Sequence, residues 1–159
     1  MKRTALNAFL VAAGIAIAGA SHAAPPDHAH GHDAPATLQL NAGKKWPTDA
    51  ALRQSMGNNR QSVAGALQDI HEDRLAPAAY NALAHKIEGV VGQIVANCKL
   101  EPQADAQLHL IVAALLEGAD QMAGQAKSGK RRDGAIKVIG ALENYSGYFD
   151  DPLFKPIAH

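Results

Sequence analysis

Residues 77–124 read PAAYNALAHKIEGVVGQIVANCKLEPQADAQLHLIVAALLEGADQMAG and carry two apolar stripes at helical spacing, each preceded by a proline. Proline is tolerated in the first turn of a helix, because the N–H that it lacks would have no partner there. Pro77 and Pro102 therefore predict the starts of two long helices. Their stripes are Tyr80, Leu83, Ala84, Ile87, Val91, Ile94 and Cys98, followed by Leu108, Ile111, Val112, Leu115, Ala119 and Met122.

A further helix is predicted upstream of this pair. The stretch 46–49, Trp-Pro-Thr-Asp, is typical of a helix start, with Thr48 as the N-cap and Asp49 in the first turn, where a negative charge suits the helix dipole. The helix is predicted to run to about Asp73. The sequence Gly-Asn-Asn at 57–59 has low helix propensity and marks a point at which this helix could bend.

A fourth helix is predicted downstream, from about Arg131 to Phe149. Gly129 lies between it and the third helix, where a glycine is typical of a helix end. Pro152 and Pro156 predict that regular structure stops after the fourth helix. Its apolar stripe is Ala135, Val138, Ile139, Leu142 and Tyr145.

Short connections near 74–76, 99–101 and 127–130 require successive helices to lie antiparallel. The predicted fold is therefore all-α, an up-down-up-down four-helix bundle over residues 46–159, preceded by a disordered tail at 24–45. The topology predicts which residues share an end of the bundle. One end holds Trp46, Cys98, Tyr148 and Phe149, and the other holds His71, Tyr80, Met122 and the basic cluster from Lys127 to Arg132.

The first 23 residues have the pattern of a signal peptide. Lys2 and Arg3 precede an uncharged apolar run at 5–20, which is shorter than the ~20 residues that span a bilayer. Ser21 and Ala23 supply the small residues that cleavage requires. The pattern predicts cleavage after Ala23, a periplasmic protein, and no membrane attachment after cleavage.

Charge and cysteine content limit the partners of the mature chain. The full chain has 15 basic and 15 acidic residues, so removing Lys2 and Arg3 leaves 13 against 15 and a net charge near −2. Sequence-independent binding to nucleic acid is therefore not expected. The single cysteine, Cys98, has no intramolecular disulfide partner, so it is predicted to be buried, liganded or paired with another molecule. Helical bundles often dimerise, and a homodimer is one arrangement open to this chain.

The segment at 24–40, APPDHAHGHDAPATLQL, concentrates metal-ligating residues. His28, His30 and His32 alternate with small residues, and in an extended chain such positions project to one side. Imidazole suits copper, nickel and zinc, so the sequence predicts a transition-metal site here, with copper as the first candidate. The alternative is that the histidines belong to a leader that only keeps the chain soluble.

A secondary metal site is possible within the helices, from Cys98, His109 and Met56. His109 lies ~10 Å along its helix from the end that holds Cys98, so direct co-ligation would need that helix to unwind early. Met56 lies near the level of His109, and the two could ligate a b-type haem or a copper(I) ion. Against these sites, a cysteine on an apolar stripe most often packs as a small hydrophobe, and Asp105 offers His109 an ordinary surface partner.

The segments LNAGKKWPTDAALRQSM and IVANCKLEPQADAQLHLIVAAL resemble a group of small exported proteobacterial helical proteins, and the resemblance covers residues 39 to about 155. It implies export and a helical fold, and it implies no activity. The predicted bundle is also similar in outline to cytochrome b562 and cytochrome c-prime. The Cys-x-x-Cys-His motif of covalent haem attachment is absent from the sequence, so covalent haem is not expected.

No motif for catalysis stands out. The Glu-x-x-His pairs of di-iron bundles are missing, and so are glycine-rich phosphate loops. The sequence therefore favours a non-enzymatic protein that binds or buffers a transition metal in the periplasm. The alternative is a structural or interaction module of an envelope stress or resistance system, with a protein partner.

Overall fold

The computed structural model describes residues 37–157. The predicted signal peptide and His28, His30 and His32 lie outside this range. Within it the chain is all-α, as predicted, and its only β pairing is two isolated bridges. The helices are α1 (Ala50–Ala64), α2 (Leu67–His71), α3 (Pro77–Asn97), α4 (Pro102–Ala123) and α5 (Arg131–Tyr148). None of these helices is long and apolar enough to cross a membrane.

The two proline-initiated helices form where the sequence predicts them. Pro77 and Pro102 each occupy the first turn of their helix, α3 and α4. However, α4 ends earlier than the predicted boundary at Gly129. Gly124 takes the left-handed conformation, with φ 77°, and its N–H bonds to the carbonyl of Gln121. A glycine adopts this backbone conformation without steric cost, so the first glycine at the end of the apolar stripe stops the helix.

The predicted cap of α1 is wrong by one residue. Asp49, not Thr48, is the N-cap, because its Oδ1 accepts a hydrogen bond of 2.7 Å from the Leu52 N–H. The Thr48 hydroxyl instead donates to the carbonyl of Asp150, at 2.6 Å. The hydrogen bond from Thr48 to Asp150 therefore leaves Asp49, and not Thr48, to cap α1.

The first helix is also shorter than predicted. It continues without a break through Gly57-Asn58-Asn59, where a bend was expected, and ends at Ala64. The short helix α2 follows from Leu67 to His71. Leu52, Met56, Asn59 and Val63 are all buried, so the packing of this face outweighs the low helix propensity at 57–59.

The helices α4 and α5 approach each other closely at Gly118 and Gly134. A Cβ atom built on Gly134 would lie 2.5 Å from the Gly118 carbonyl oxygen and 2.7 Å from the Met122 nitrogen. The two helix backbones therefore touch directly. The other main packing partners are α3 with α4 and α1 with α3, and α1 packs more lightly against α5.

Hydrogen bonds join the start of α1 to the ends of α3 and α5. The Trp46 N–H donates to the Tyr148 carbonyl at 2.8 Å, and the Asp150 N–H donates to the Trp46 carbonyl at the same distance. Asp49 Oδ2 accepts from the Lys99 N–H at 2.7 Å. These bonds bring the start of α1, the end of α3 and the end of α5 together.

Part of the predicted disordered tail at 24–45, from residue 37 onward, is described by the structure and contacts the helices. The Gln39 N–H donates to Gln107 Oε1 at 2.7 Å, and the Trp46 indole N–H donates to the Gln39 carbonyl at 2.6 Å. Asn41 and Lys44 exchange two backbone hydrogen bonds in a tight turn. The stretch from Gln39 to Trp46 is therefore attached to α4, although its sequence has no helical or strand period.

Candidate functional site

The predicted metal ligands fall into two groups. His28, His30 and His32 lie outside the described residues, so the site at 24–40 remains a prediction. Within residues 37–157, no group of three or more histidine, cysteine, aspartate or glutamate side chains is placed to hold a metal ion. The secondary ligands Met56, Cys98 and His109 can be placed individually.

Cys98 and His109 line one small cavity of about 210 Å³, together with Asp105. From the sequence, His109 was expected to lie ~10 Å along α4 from the end that holds Cys98. In the structure both residues border the same cavity, because side chains on a helix tilt toward its N-terminus and His109 is therefore directed back toward the end that holds Cys98. His109 is already engaged, because its Nδ1 lies 2.8 Å from the Asp105 carbonyl and 3.4 Å from Asp105 Oδ2.

The half-buried Cys98 thiol is held in its protonated form. Burial raises the pKa of Cys98 to about 11, and the negative charges of Asp49 and Asp105 add to the effect. The thiolate is the form that ligates metals and attacks electrophiles. At neutral pH this environment therefore disfavours both reactions at Cys98.

We expect Cys98 to react slowly with iodoacetamide. At pH 8 a thiol with a pKa of about 11 carries about 100-fold less thiolate than one with the ordinary value of 9.0, so the rate should fall by a similar factor. The rate should still rise up to about pH 11. Mass spectrometry of the alkylated protein measures it, and the same chain unfolded in urea is the control. A rate in the folded protein that levels off below pH 9.5 would contradict the raised pKa.

The structure does not bring Met56 and His109 together. The Met56 side chain is fully buried in the core, whereas 70% of the His109 side chain is exposed and paired with Asp105. The expected surface pairing of His109 with Asp105 is confirmed. Met56 packs in the core as an ordinary apolar residue.

The basic cluster at the start of α5 contributes two arginines to helix capping. Arg132 donates from Nε to the Ile70 carbonyl at 2.9 Å and from Nη2 to the His71 carbonyl at 3.2 Å. Arg131 donates from Nη1 to the Met122 carbonyl. These carbonyls lie in the last turns of α2 and α4, where the i+4 N–H of a continuing helix is missing, and the Ile70 carbonyl also accepts from the Asp73 N–H at 3.2 Å. The two guanidinium groups therefore join these helix ends to the start of α5.

Two acidic side chains near this basic cluster, Asp69 and Glu72, have their ion-pair partner outside it. Asp69 and Glu72 form ion pairs with Arg74, at 3.3 Å and 2.5 Å. Arg131 and Arg132 donate instead to backbone carbonyls, and Arg131 also donates to Asn81 Oδ1 at 2.6 Å.

Asn59 is a buried polar residue that was not predicted from the sequence. Its side chain is fully buried, and within residues 37–157 neither of its amide atoms has a protein hydrogen-bond partner. The signal was present in the sequence, since Asn59 falls between Met56 and Val63 at the helical spacing of the apolar stripe. Buried polar groups without partners weaken a fold, and some specify a unique packing register.

Comparisons with known proteins give no family for this chain. A scan of family models, a search of curated proteins and a search of solved structures each find no match. The resemblance to small exported proteobacterial helical proteins therefore remains a prediction from the quoted segments.

Proposed function

We propose that this protein binds or buffers a transition metal in the periplasm, with copper as the first candidate. The observation that carries the proposal is the placement of His28, His30 and His32 within five residues of each other. Imidazole nitrogens are good ligands for copper(II), and Asp27 and Asp33 add carboxylates on either side. The described part of the chain offers no competing group of three such ligands.

The helical domain is proposed as the carrier of this metal-binding segment. We propose that α1, α3, α4 and α5 form an up-down-up-down bundle, with α2 inserted in the first connection. The short connections and the packing of α3 on α4 and of α4 on α5 support this arrangement. A carrier needs no active site, which fits the absence of catalytic motifs in the sequence.

Copper(II) affinity should be modest and dependent on pH. Gathering three side chains from a segment without predicted regular structure costs ~1–2 kcal/mol for each residue that becomes ordered. Imidazoles with an ordinary pKa of ~6.5 must also lose their protons before they ligate. Binding at neutral pH should therefore disappear near pH 5.

A copper(II) titration of the mature protein, purified from the periplasm without an affinity tag, tests the proposal. Deleting residues 25–36, or replacing His28, His30 and His32 with alanine, should abolish binding and leave the helical circular dichroism signal unchanged. The matched control replaces three helical histidines, His71, His85 and His109, and should keep full binding. A truncated protein that binds copper as well as the full chain would refute the assignment to the tail.

The second candidate is an interaction module with a protein partner. It is favoured by large apolar side chains at the surface, among which Val95 is 73% exposed and Leu153 is 84% exposed. If neither the full chain nor the truncated chain binds copper, nickel or zinc, the interaction-module hypothesis should replace the metal-binding proposal. A stoichiometric Soret absorbance in the purified protein would instead favour a b-type haem.

A further inference from the structure

A cavity of about 400 Å³ lies between α1 and the chain that follows α5. We propose that it binds a small amphiphilic anion, one with a carboxylate or phosphate head and an apolar portion. This volume falls within the range of small-molecule sites. The side chains that carry the argument are Arg53, Arg60, Lys155, Asp151, Leu153 and Phe154.

Two arginines on one face of α1 provide the basic wall. Arg53 and Arg60 are seven residues apart, which is two helical turns or about 10 Å along the axis. Arg53 Nη1 donates to the Thr48 carbonyl at 2.8 Å, and Arg60 Nε donates to the Lys155 carbonyl. Each guanidinium is thus anchored through one nitrogen, and its other N–H groups can form the paired hydrogen bonds that suit carboxylates and phosphates.

The lining has an excess of positive charge. Arg53, Arg60 and Lys155 face a single carboxylate, Asp151, whereas basic and acidic residues are equal in number over the whole chain. Asp151 already accepts hydrogen bonds from the Tyr145 hydroxyl at 3.0 Å and from the Leu153 N–H at 3.2 Å. Its carboxylate is therefore committed to the fold, and the cavity favours a negatively charged ligand.

An apolar wall faces the arginines. Leu153 lines this cavity and is 84% exposed, so its apolar surface is open to a ligand. The half-buried Phe154 is fixed edge-on to the Tyr145 ring, with centroids 5.0 Å apart. The ligand's apolar portion would lie along Leu153 and Phe154 while its head meets the guanidinium groups.

Gly57 keeps the cavity open on the helix side. It lines the cavity, and a Cβ atom built on it would have no atom within 4 Å. A larger side chain at position 57 would therefore enter the cavity without disturbing the helix backbone. This position gives a way to block the site while leaving every charged residue in place.

Isothermal titration calorimetry of the full mature chain tests the proposal with four probes. Octanoate and octyl phosphate carry both a charged head and an apolar chain, octanol carries only the chain, and acetate carries only the charge. We expect one site for octanoate or octyl phosphate, with the stronger of the two identifying the head group. Octanol and acetate should bind at least tenfold more weakly. Equal binding of octanol, or no binding of either amphiphilic anion, would overturn the proposal.

Three variants locate the site. Gly57→Leu should abolish binding of the anion by occupying the cavity, and Arg60→Gln should weaken it at least tenfold. Lys137→Gln removes one positive charge on α5, where Lys137 pairs with Glu117, and should bind like the original protein. If Arg60→Gln proves unfolded by circular dichroism, Gly57→Leu still decides the matter. Unchanged affinity in a folded Gly57→Leu protein would place the anion elsewhere and refute the proposal.

Discussion

Gly134→Ala should lower the free energy of unfolding by about 3 kcal/mol, toward the upper end of the overpacking range. The new methyl group would lie 2.5 Å from the Gly118 carbonyl oxygen and 2.7 Å from the Met122 nitrogen. Both are backbone atoms of α4, so no side-chain rotation relieves the clash. The two helices would have to separate, and the packing of α5 against the rest of the core would loosen.

A second glycine on the same helix provides the control for this prediction. A Cβ atom built on Gly140 has no atom within 4 Å, so Gly140→Ala should stabilise the protein by about 0.5–1 kcal/mol through helix propensity alone. Urea denaturation followed by circular dichroism measures both free energies. If the two variants change stability in the same direction, the close contact between α4 and α5 is wrong.

Tyr145→Ala should remove about 3–5 kcal/mol of stability, as expected for the truncation of a large buried aromatic residue. The Tyr145 side chain is fully buried. Its ring stacks on Phe149 at 5.4 Å between centroids and meets the edge of Phe154 at 5.0 Å. Its hydroxyl donates to Asp151 Oδ2 at 3.0 Å. Tyr145 therefore links α5 to the chain that follows it.

Tyr145→Phe removes only the hydroxyl group and is the control for Tyr145→Ala. It keeps the ring contacts and loses only the hydrogen bond to Asp151, so its cost should be smaller, about 1–2 kcal/mol. Urea denaturation at neutral pH separates the two variants. A cost for Tyr145→Phe as large as that for Tyr145→Ala would show that the hydroxyl, and not ring packing, dominates.

The Tyr145 hydroxyl should make the stability of the protein depend on pH in the alkaline range. Burial raises the pKa of Tyr145 well above its ordinary value of 10.0, and the charge of Asp151 acts in the same direction. The folded state therefore holds this proton more tightly than the unfolded state. Its contribution to stability is complete below pH 10 and falls as the pH rises further. Tyr145→Phe should consequently lose stability less steeply above pH 10 than the original protein.

Much of the helical structure follows from local sequence. Pro77 and Pro102 begin α3 and α4, and the apolar stripes predict which faces are buried, because the helical period and the first-turn proline act within a few residues. Trp46 and Tyr148, which the sequence assigns to the same end of the helices, are joined by a backbone hydrogen bond. The early end of α4 at Gly124 was missed because two glycines near the end of the stripe are equally suitable by sequence.

The candidate site could be predicted only in part. The pattern of His28, His30 and His32 is visible in the sequence because its members are neighbours. The shared cavity of Cys98 and His109 was not expected, since it depends on the direction in which a helical side chain tilts. The cavity beside Arg53 and Arg60 had no sequence signal, because its other wall is formed by residues about a hundred positions later.

By itself, then, the sequence determined an all-α chain and the placement of its two central helices, since these rest on contacts between residues three or four positions apart. Tertiary structure alone decided that Asp49 and not Thr48 caps α1, because the Thr48 hydroxyl is taken by the Asp150 carbonyl. It also decided that Arg131 and Arg132 cap the ends of other helices instead of meeting acidic side chains. In each case one polar group had several possible partners, and long-range packing determined which partner came within hydrogen-bond distance.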